Sequence, residues 1–321
     1  MAERMRVIVL GLGVQGHKRR RVAGTDFVAS VDPVHAEADY RDVADVPLAD
    51  YDAALCCIPD GPKVAMLEYL LANGKHVLVE KPLWAPADDD ILRLQDLANA
   101  KGAVCYTAYN HRFEPHYRRM GALIASGELG RIYRCRMFYG NGTARLVRDS
   151  QWRDHGSGVL HDLGSHLLDT AAFWFGALGD DFRVIASNRF ENQAPDHVVI
   201  GSETTSVRLE FEMTLLSWRN HFTCDLFAEA GSAHIESLCK WGPSTFTRRT
   251  RLLPSGRPPE EAVTLVQEDP TWELEYAHFK ALCTNGTPTD LATDLWLNGL
   301  LRRLGDTAVT MAGAPAAERT A

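Results

Sequence analysis

Lys81, Asp162 and His166 are the side chains of this 321-residue sequence best suited to move a proton beside a reacting carbon. Asp162 and His166 stand at i and i+4 of a run that reads as helical after Gly158. That spacing puts them on one helix face, beside an apolar stripe of Leu160, Leu163, Leu167, Ala171 and Trp174. An imidazole titrates near neutrality, so His166 suits the proton of a substrate hydroxyl, while Asp162 can orient the ring or bind a neighbouring hydroxyl. Taken alone, such a pair on a helix is more often a structural hydrogen bond. It also fits part of a metal site, but no third ligand stands at a diagnostic spacing and no metal is expected. Lys81 lies in Glu80-Lys81-Pro82. Pro82 biases Lys81 away from helix, so its side chain can leave the carboxyl edge of a sheet, where open α/β folds bind ligands. A surface lysine is the plain alternative.

A second set of residues suits a dinucleotide. Gly11-Leu12-Gly13-Val14-Gln15-Gly16 follows an apolar strand-like run and opens a helix. That context is what a phosphate-binding loop demands. Gly11 permits a tight turn, Gly13 lets the backbone approach the pyrophosphate, and Gly16 lets helix and strand pack closely. Asp32 follows at the end of the next strand, where a carboxylate accepts ribose hydroxyls and repels a 2′-phosphate. No Arg or Lys follows until Arg41, so NAD is expected over NADP. A turn residue ahead of Pro33 is the other reading of Asp32.

The elements that must position these residues alternate between strand and helix in the first half. Strands are expected at 6–10, 27–31, 53–58, 76–79 and 104–107, with helices to about Ala23, over about 64–72 and over about 87–100. This order predicts a doubly wound parallel sheet of the Rossmann kind. A helix over about 116–125 follows, and the strand-helix alternation stops. Several alternating β segments then run from about Arg183 to Ile235. Their one-sided apolar pattern predicts an α+β domain with an open, mostly antiparallel sheet. Residues 288–311 return to helix, and the small, polar stretch 312–321 reads as a disordered tail.

Composition excludes several classes. A net charge of -8 argues against nucleic acid or an anionic membrane as the main partner. The basic run His17-Lys18-Arg19-Arg20-Arg21 falls on the first helix and reads as its solvated face. The seven cysteines lack metal-site spacing and several lie in apolar runs, as expected of reduced structural thiols in the cytoplasm. The apolar run near the start is too short for a secretory segment, and no stretch reaches the length of a membrane span.

Substrate clues are thinner. Arg145, Arg148, Trp152 and Arg153 precede the Asp162/His166 helix and can receive a carboxylate or phosphate, or else stand as solvated loop residues. Trp241, in Lys240-Trp241-Gly242-Pro243, reads as a packed indole or a platform for a sugar ring.

Taken together, the glycine loop, Glu80-Lys81-Pro82, Tyr109-Asn110-His111-Arg112-Phe113 and the 158–166 motif resemble the Gfo/Idh/MocA oxidoreductases in order and separation. The resemblance covers nearly the whole chain to about residue 311. It implies a Rossmann domain over 1–117, with the helix at 288–311 packing back on it. It further implies a substrate and oligomerisation domain over 118–287, whose sheet joins a homodimer or homotetramer. The resemblance gives Lys81 the task of positioning the reacting group and His166 that of acid/base, with Asp162 in support. It implies cofactor contacts at Pro59, Glu80, Lys81, Asn110 and Arg112 as well as the loop. Lys63 departs from the family, where many relatives carry a histidine. The implied reaction is hydride transfer between NAD and a secondary alcohol or ketone of a sugar, inositol or nucleotide sugar. An NAD-retaining enzyme that cleaves a glycoside without net redox change would use the same residues. A non-catalytic dinucleotide sensor is the remaining class.

Overall fold

The computed structural model describes residues 4–150, 153–202 and 207–313. They form two compact units, one from residues 4–110 with 270–298 and one from the described residues of 111–269 with 299–313.

The first unit is built on five parallel strands, β1 (Val7–Leu10), β2 (Phe27–Val31), β3 (Ala53–Cys56), β4 (His76–Glu80) and β5 (Cys105–Ala108). Helices α1 (Val14–Ala23), α2 (Asp60–Ala72) and α3 (Asp88–Lys101) connect them. The strands β1 and β3 are buried throughout, so they read as unbroken apolar runs rather than alternating ones. In α3, Asp88, Asp89 and Asp90 crowd the first turn, Lys101 closes the last, and Gly102 ends the helix with a left-handed backbone. The strand order β2-β1-β3-β4-β5 reverses direction at β1. A doubly wound sheet binds its ligand at that reversal, and the glycine loop emerges there, after β1.

The second unit begins with α4 (Pro115–Ala125), β6 (Ile132–Gly140) and the short α5 (Ala144–Arg148). A π-helical turn, Leu160–Gly164, leads into α6 (Ser165–Phe175). Strands β7 (Arg183–Asn188), β8 (His197–Ser202), β9 (Arg208–Thr214), β10 (His221–Ala228), β11 (Gly231–Glu236), β12 (Ser244–Thr250) and β13 (Glu260–Leu265) follow. With β6 they form an eight-stranded sheet, ordered β13-β12-β11-β10-β6-β9-β8-β7. All its pairings are antiparallel except β6 with β9. One face is buried, with Met137, Leu209, Phe211, Met213, Phe222 and Leu226. The other carries charge, where Arg136 pairs with Glu210 and Glu212 at 3.2 Å. The α+β domain with an open sheet is therefore the one expected.

Two further helices follow, α7 (Thr271–Thr284) and α8 (Ala292–Met311). The sequence reading places 271–284 with the second domain, but packing places α7 in the first unit. Its Tyr276 and Phe279 enter a core with Val7, Val9 and Leu55. The Tyr276 hydroxyl and Lys280 Nζ both donate to Asp26, at 3.0 and 2.9 Å. Leu291 and Leu295 pack in the first unit's other core, and Asn298 exchanges hydrogen bonds with the Ala85 backbone. Residues 314–321, most of the expected tail, lie outside the described residues. No helix among the described residues is long and apolar enough to cross a membrane.

Candidate active site

The glycine loop is shaped by contacts that only glycine permits at two of its positions. Gly11 has φ +86°, and a Cβ there would lie 2.4 Å from the Cys57 carbonyl oxygen. A Cβ on Gly16 would fall 1.8 Å from the Gly11 carbonyl oxygen, because α1 passes directly over the loop. Gly13 is different. It is exposed, and a Cβ there would meet no protein atom within 4 Å. Space is thus left outside the backbone at the N-terminus of α1, whose first amides receive no side-chain cap. An exposed loop, amides without a capping side chain and the positive end of the helix dipole fit a dinucleotide pyrophosphate. Val14 and Gln15 are exposed in the same turn.

Asp32 ties this loop to the end of β2. One carboxylate oxygen accepts the Leu12 amide at 2.8 Å, and the other accepts Val34 and His35 at 2.9 and 2.8 Å. Burial alone would raise its pKa, but the three amides hold it below the usual aspartate value. Asp32 therefore shapes the turn that follows β2. Arg41 reaches back to the same turn and donates to the His35 carbonyl at 2.7 Å.

Lys81 follows β4 directly, and the main chain around it is pinned by Lys63. The Lys63 side chain is buried, and its Nζ donates to the carbonyls of Glu80 and Pro82 at 3.3 and 2.9 Å and to Asp60 at 2.6 Å. The Lys63 ammonium thus holds the carbonyls of the residues on either side of Lys81. The Glu80 carboxylate is itself engaged, at 2.7 Å from Arg19 Nε. Arg19 also pairs with Glu275 at 2.7 Å and lies over the Trp272 ring. Burial works against the Arg19 charge, but Glu80 and Glu275 outweigh it and raise its pKa. This corrects one sequence expectation: Arg19 is 1% exposed and belongs to no solvated face. Its partners are far away in sequence, so the basic run gives no sign of them. Pro59 caps α2, and Asn110 donates to the Thr271 hydroxyl at 2.8 Å.

His166 is buried in the first turn of α6. Its ring stacks on His111, with centroids 4.0 Å apart and planes 18° from parallel. The stripe Leu160, Leu163, Leu167, Ala171 and Trp174 is buried as the helical period requires. Asp162 sits in the π turn and accepts from Arg153 at 3.2 Å. Arg153 is therefore paired rather than a loose loop cation, while Arg145 and Arg148 are exposed on α5. Trp152 lies outside the described residues. Arg112 makes a two-pronged contact with Asp169, with Nε 3.1 and 3.0 Å from its two oxygens. Burial raises the Asp169 pKa against the pull of that guanidinium.

Three residues the sequence does not single out complete this cluster: His111 and Tyr139, whose rings face His166, and Lys240, which reaches those two. Lys240 Nζ is 3.1 Å from His111 Nε2 and 3.4 Å from the Tyr139 hydroxyl. The motifs Tyr109 to Phe113 and Lys240 to Pro243 contain two of them, but only the sheet joins the two segments. Trp241 packs against Tyr139 with centroids 5.6 Å apart. Among the described residues, Glu114, Cys239 and Asp269 alone bring ligand atoms within 4.8 Å of one another in a metal-like group. The amide and thiol of Cys239 already donate to Glu114, at 2.7 and 2.9 Å. Burial raises the Glu114 pKa, so the cluster reads as an internally satisfied polar knot.

Comparison with known proteins gives the family and the fold. The model of the oxidoreductase family with an NAD-binding Rossmann fold matches residues 7–109, and that of the GFO/IDH/MocA C-terminal domain matches residues 117–234. The chain belongs to the GFO/IDH/MocA family of oxidoreductases, with an NAD(P)-binding Rossmann domain at its N-terminal end. An uncharacterized oxidoreductase of Schizosaccharomyces pombe is 34% identical over 134 residues, 40% of this chain and 36% of that protein. A scyllo-inositol 2-dehydrogenase (NADP(+)) of Bacillus subtilis is 31% identical over 106 residues, 32% of this chain and 29% of that protein. Across the first three curated relatives, the match spans between 36% and 55% of their length. A levoglucosan dehydrogenase solved with NADH shares the fold, with TM-score 0.80, 17% identity and coverage of 96% of this chain and 97% of that one.

Proposed function

We propose that this chain is an NAD-dependent dehydrogenase or reductase of a small polyhydroxylated substrate, a sugar, inositol or nucleotide sugar. The observation that carries the reading is His166, a buried imidazole on a rigid helix, stacked at 4.0 Å on a second imidazole. In its neutral form it takes the proton of a secondary hydroxyl, and in its protonated form it returns that proton to a ketone. Lys81 binds the reacting oxygen and favours its anionic form, its backbone held by Lys63. Bound nicotinamide supplies the hydride acceptor or donor. Asp162, with Arg153, and the exposed Arg148 bind neighbouring substrate groups. Asp32 favours NAD, since a carboxylate at the end of β2 repels a 2′-phosphate. The relatives named for inositol and levoglucosan support a cyclic polyhydroxylated alcohol as the substrate class. The charged outer face of the large sheet, with exposed Tyr133, Ile185 and Phe227, is the surface proposed for a homodimer or homotetramer. Seven free thiols suit the cytoplasm.

The test is a screen of free sugars, inositols, sugar acids and nucleotide sugars with NAD and with NADP, with Lys81→Ala as control. Nicotinamide reduction on one group of polyols, faster with NAD and lost in the control, is the expected result. Cofactor binding without turnover across the panel overturns the assignment.

A further inference from the structure

Lys240 is a half-buried ammonium that neither the dinucleotide loop nor the proposed proton transfer uses. Its hydrogen-bond partners are an imidazole and a phenol, His111 Nε2 at 3.1 Å and Tyr139 Oη at 3.4 Å. Its ammonium also lies over the Trp241 ring, 4.9 Å from the centroid. An ammonium has donors only, so the first contact has one direction: His111 Nε2 accepts and that ring carries its proton on Nδ1. A second proton on His111 would place an imidazolium beside the ammonium. The neutral ring so fixed lies flat against His166.

We propose that Lys240 is a positioning residue for His166: it locks His111 as a neutral platform and keeps His166 unprotonated, and so able to act as a base, to lower pH. This rests on the reading of His166 as acid/base. The groups seen around the pair are neutral or already paired. Tyr117 on α4 and Tyr139 on β6 meet the rings at 5.8 and 5.6 Å from His111, and both phenols are neutral near pH 7. Asp162, in the turn before α6, is balanced by Arg153, and Arg112 beside His111 is bound by Asp169. Glu114 and Asp269 act on Lys240 at longer range, where they and Cys239 oppose the effect of its burial.

Histidine titration of the full chain by NMR, without substrate, tests this in Lys240→Met and Lys240→Arg. In Lys240→Met the apparent pKa of His111 or His166 rises by about one pH unit. The acid limb of the kcat/KM profile moves up with it, while KM stays near the parent value. Lys240→Arg, which keeps the charge and the donor, restores both. Unchanged ring titrations in Lys240→Met overturn the proposal. So does a raised KM with an unmoved pH profile, which would make Lys240 a substrate contact. Rings that shift while the pH–rate profile stays fixed would uphold the role of Lys240 toward the pair and overturn His166 as acid/base.

Discussion

Lys63 donates to the carbonyl of Pro82 at 2.9 Å from a position that is 2% exposed. The same ammonium reaches Glu80 O, so the carbonyls of the residues before and after Lys81 hang from one buried side chain. Lys63→Met leaves both carbonyls without that donor inside the fold. The expected cost is about 3 kcal/mol of stability, with a fall in turnover as the Lys81 backbone loosens. Denaturant unfolding and steady-state kinetics check the two effects. A variant with unchanged stability and turnover would remove Lys63 from the supporting role assigned to it.

The glycines of the loop separate folding from binding. A Cβ on Gly13 meets nothing within 4 Å, whereas one on Gly16 lies 1.8 Å from Gly11 O. Gly13→Val is expected to keep the parent melting temperature and to weaken NAD binding about tenfold or more. Gly16→Val is expected to lose stability as well, because α1 must lift off the loop. Calorimetry of the apo proteins and cofactor titration distinguish the two. Unimpaired NAD binding in Gly13→Val would show that the pyrophosphate lies elsewhere.

Asp32 gives a pH dependence with a definite sign. Its folded pKa is depressed, so its stabilisation is full above the usual aspartate value of about 3.9 and is lost as pH falls through the lower folded value. Asp32→Asn is expected to be about 1–3 kcal/mol less stable at neutral pH. That difference should shrink in acid, as the native carboxyl takes its proton. Unfolding of both proteins across this range checks it, and a constant difference would contradict the ionised contact with Leu12, Val34 and His35.

Much of this was readable in the sequence because it is local. The strand β1, the loop that follows and the start of α1 are set by adjacent apolar residues and glycines. The Leu160 to Trp174 stripe is set by the helical period. What escaped depends on partners distant along the chain. Arg19 is buried because Glu80, 61 positions away, and Glu275 meet it in the fold. Helix α7 joins the first unit through Tyr276 and Asp26, which no periodicity connects. Lys240 reaches His111 only because strands β6, β10 and β11 pair in register. The π turn at Leu160–Gly164 keeps the helical pattern of a plain helix, so its geometry left no mark on the residue spacing.

Steady-state turnover of His166→Ala, set beside its affinity for NAD, bears most directly on the proposed reaction. Loss of the acid/base should lower kcat by about 10²–10⁴-fold, while the dinucleotide, held by the first unit, binds as before. Wild-type turnover in that variant would contradict the assignment of the proton to His166.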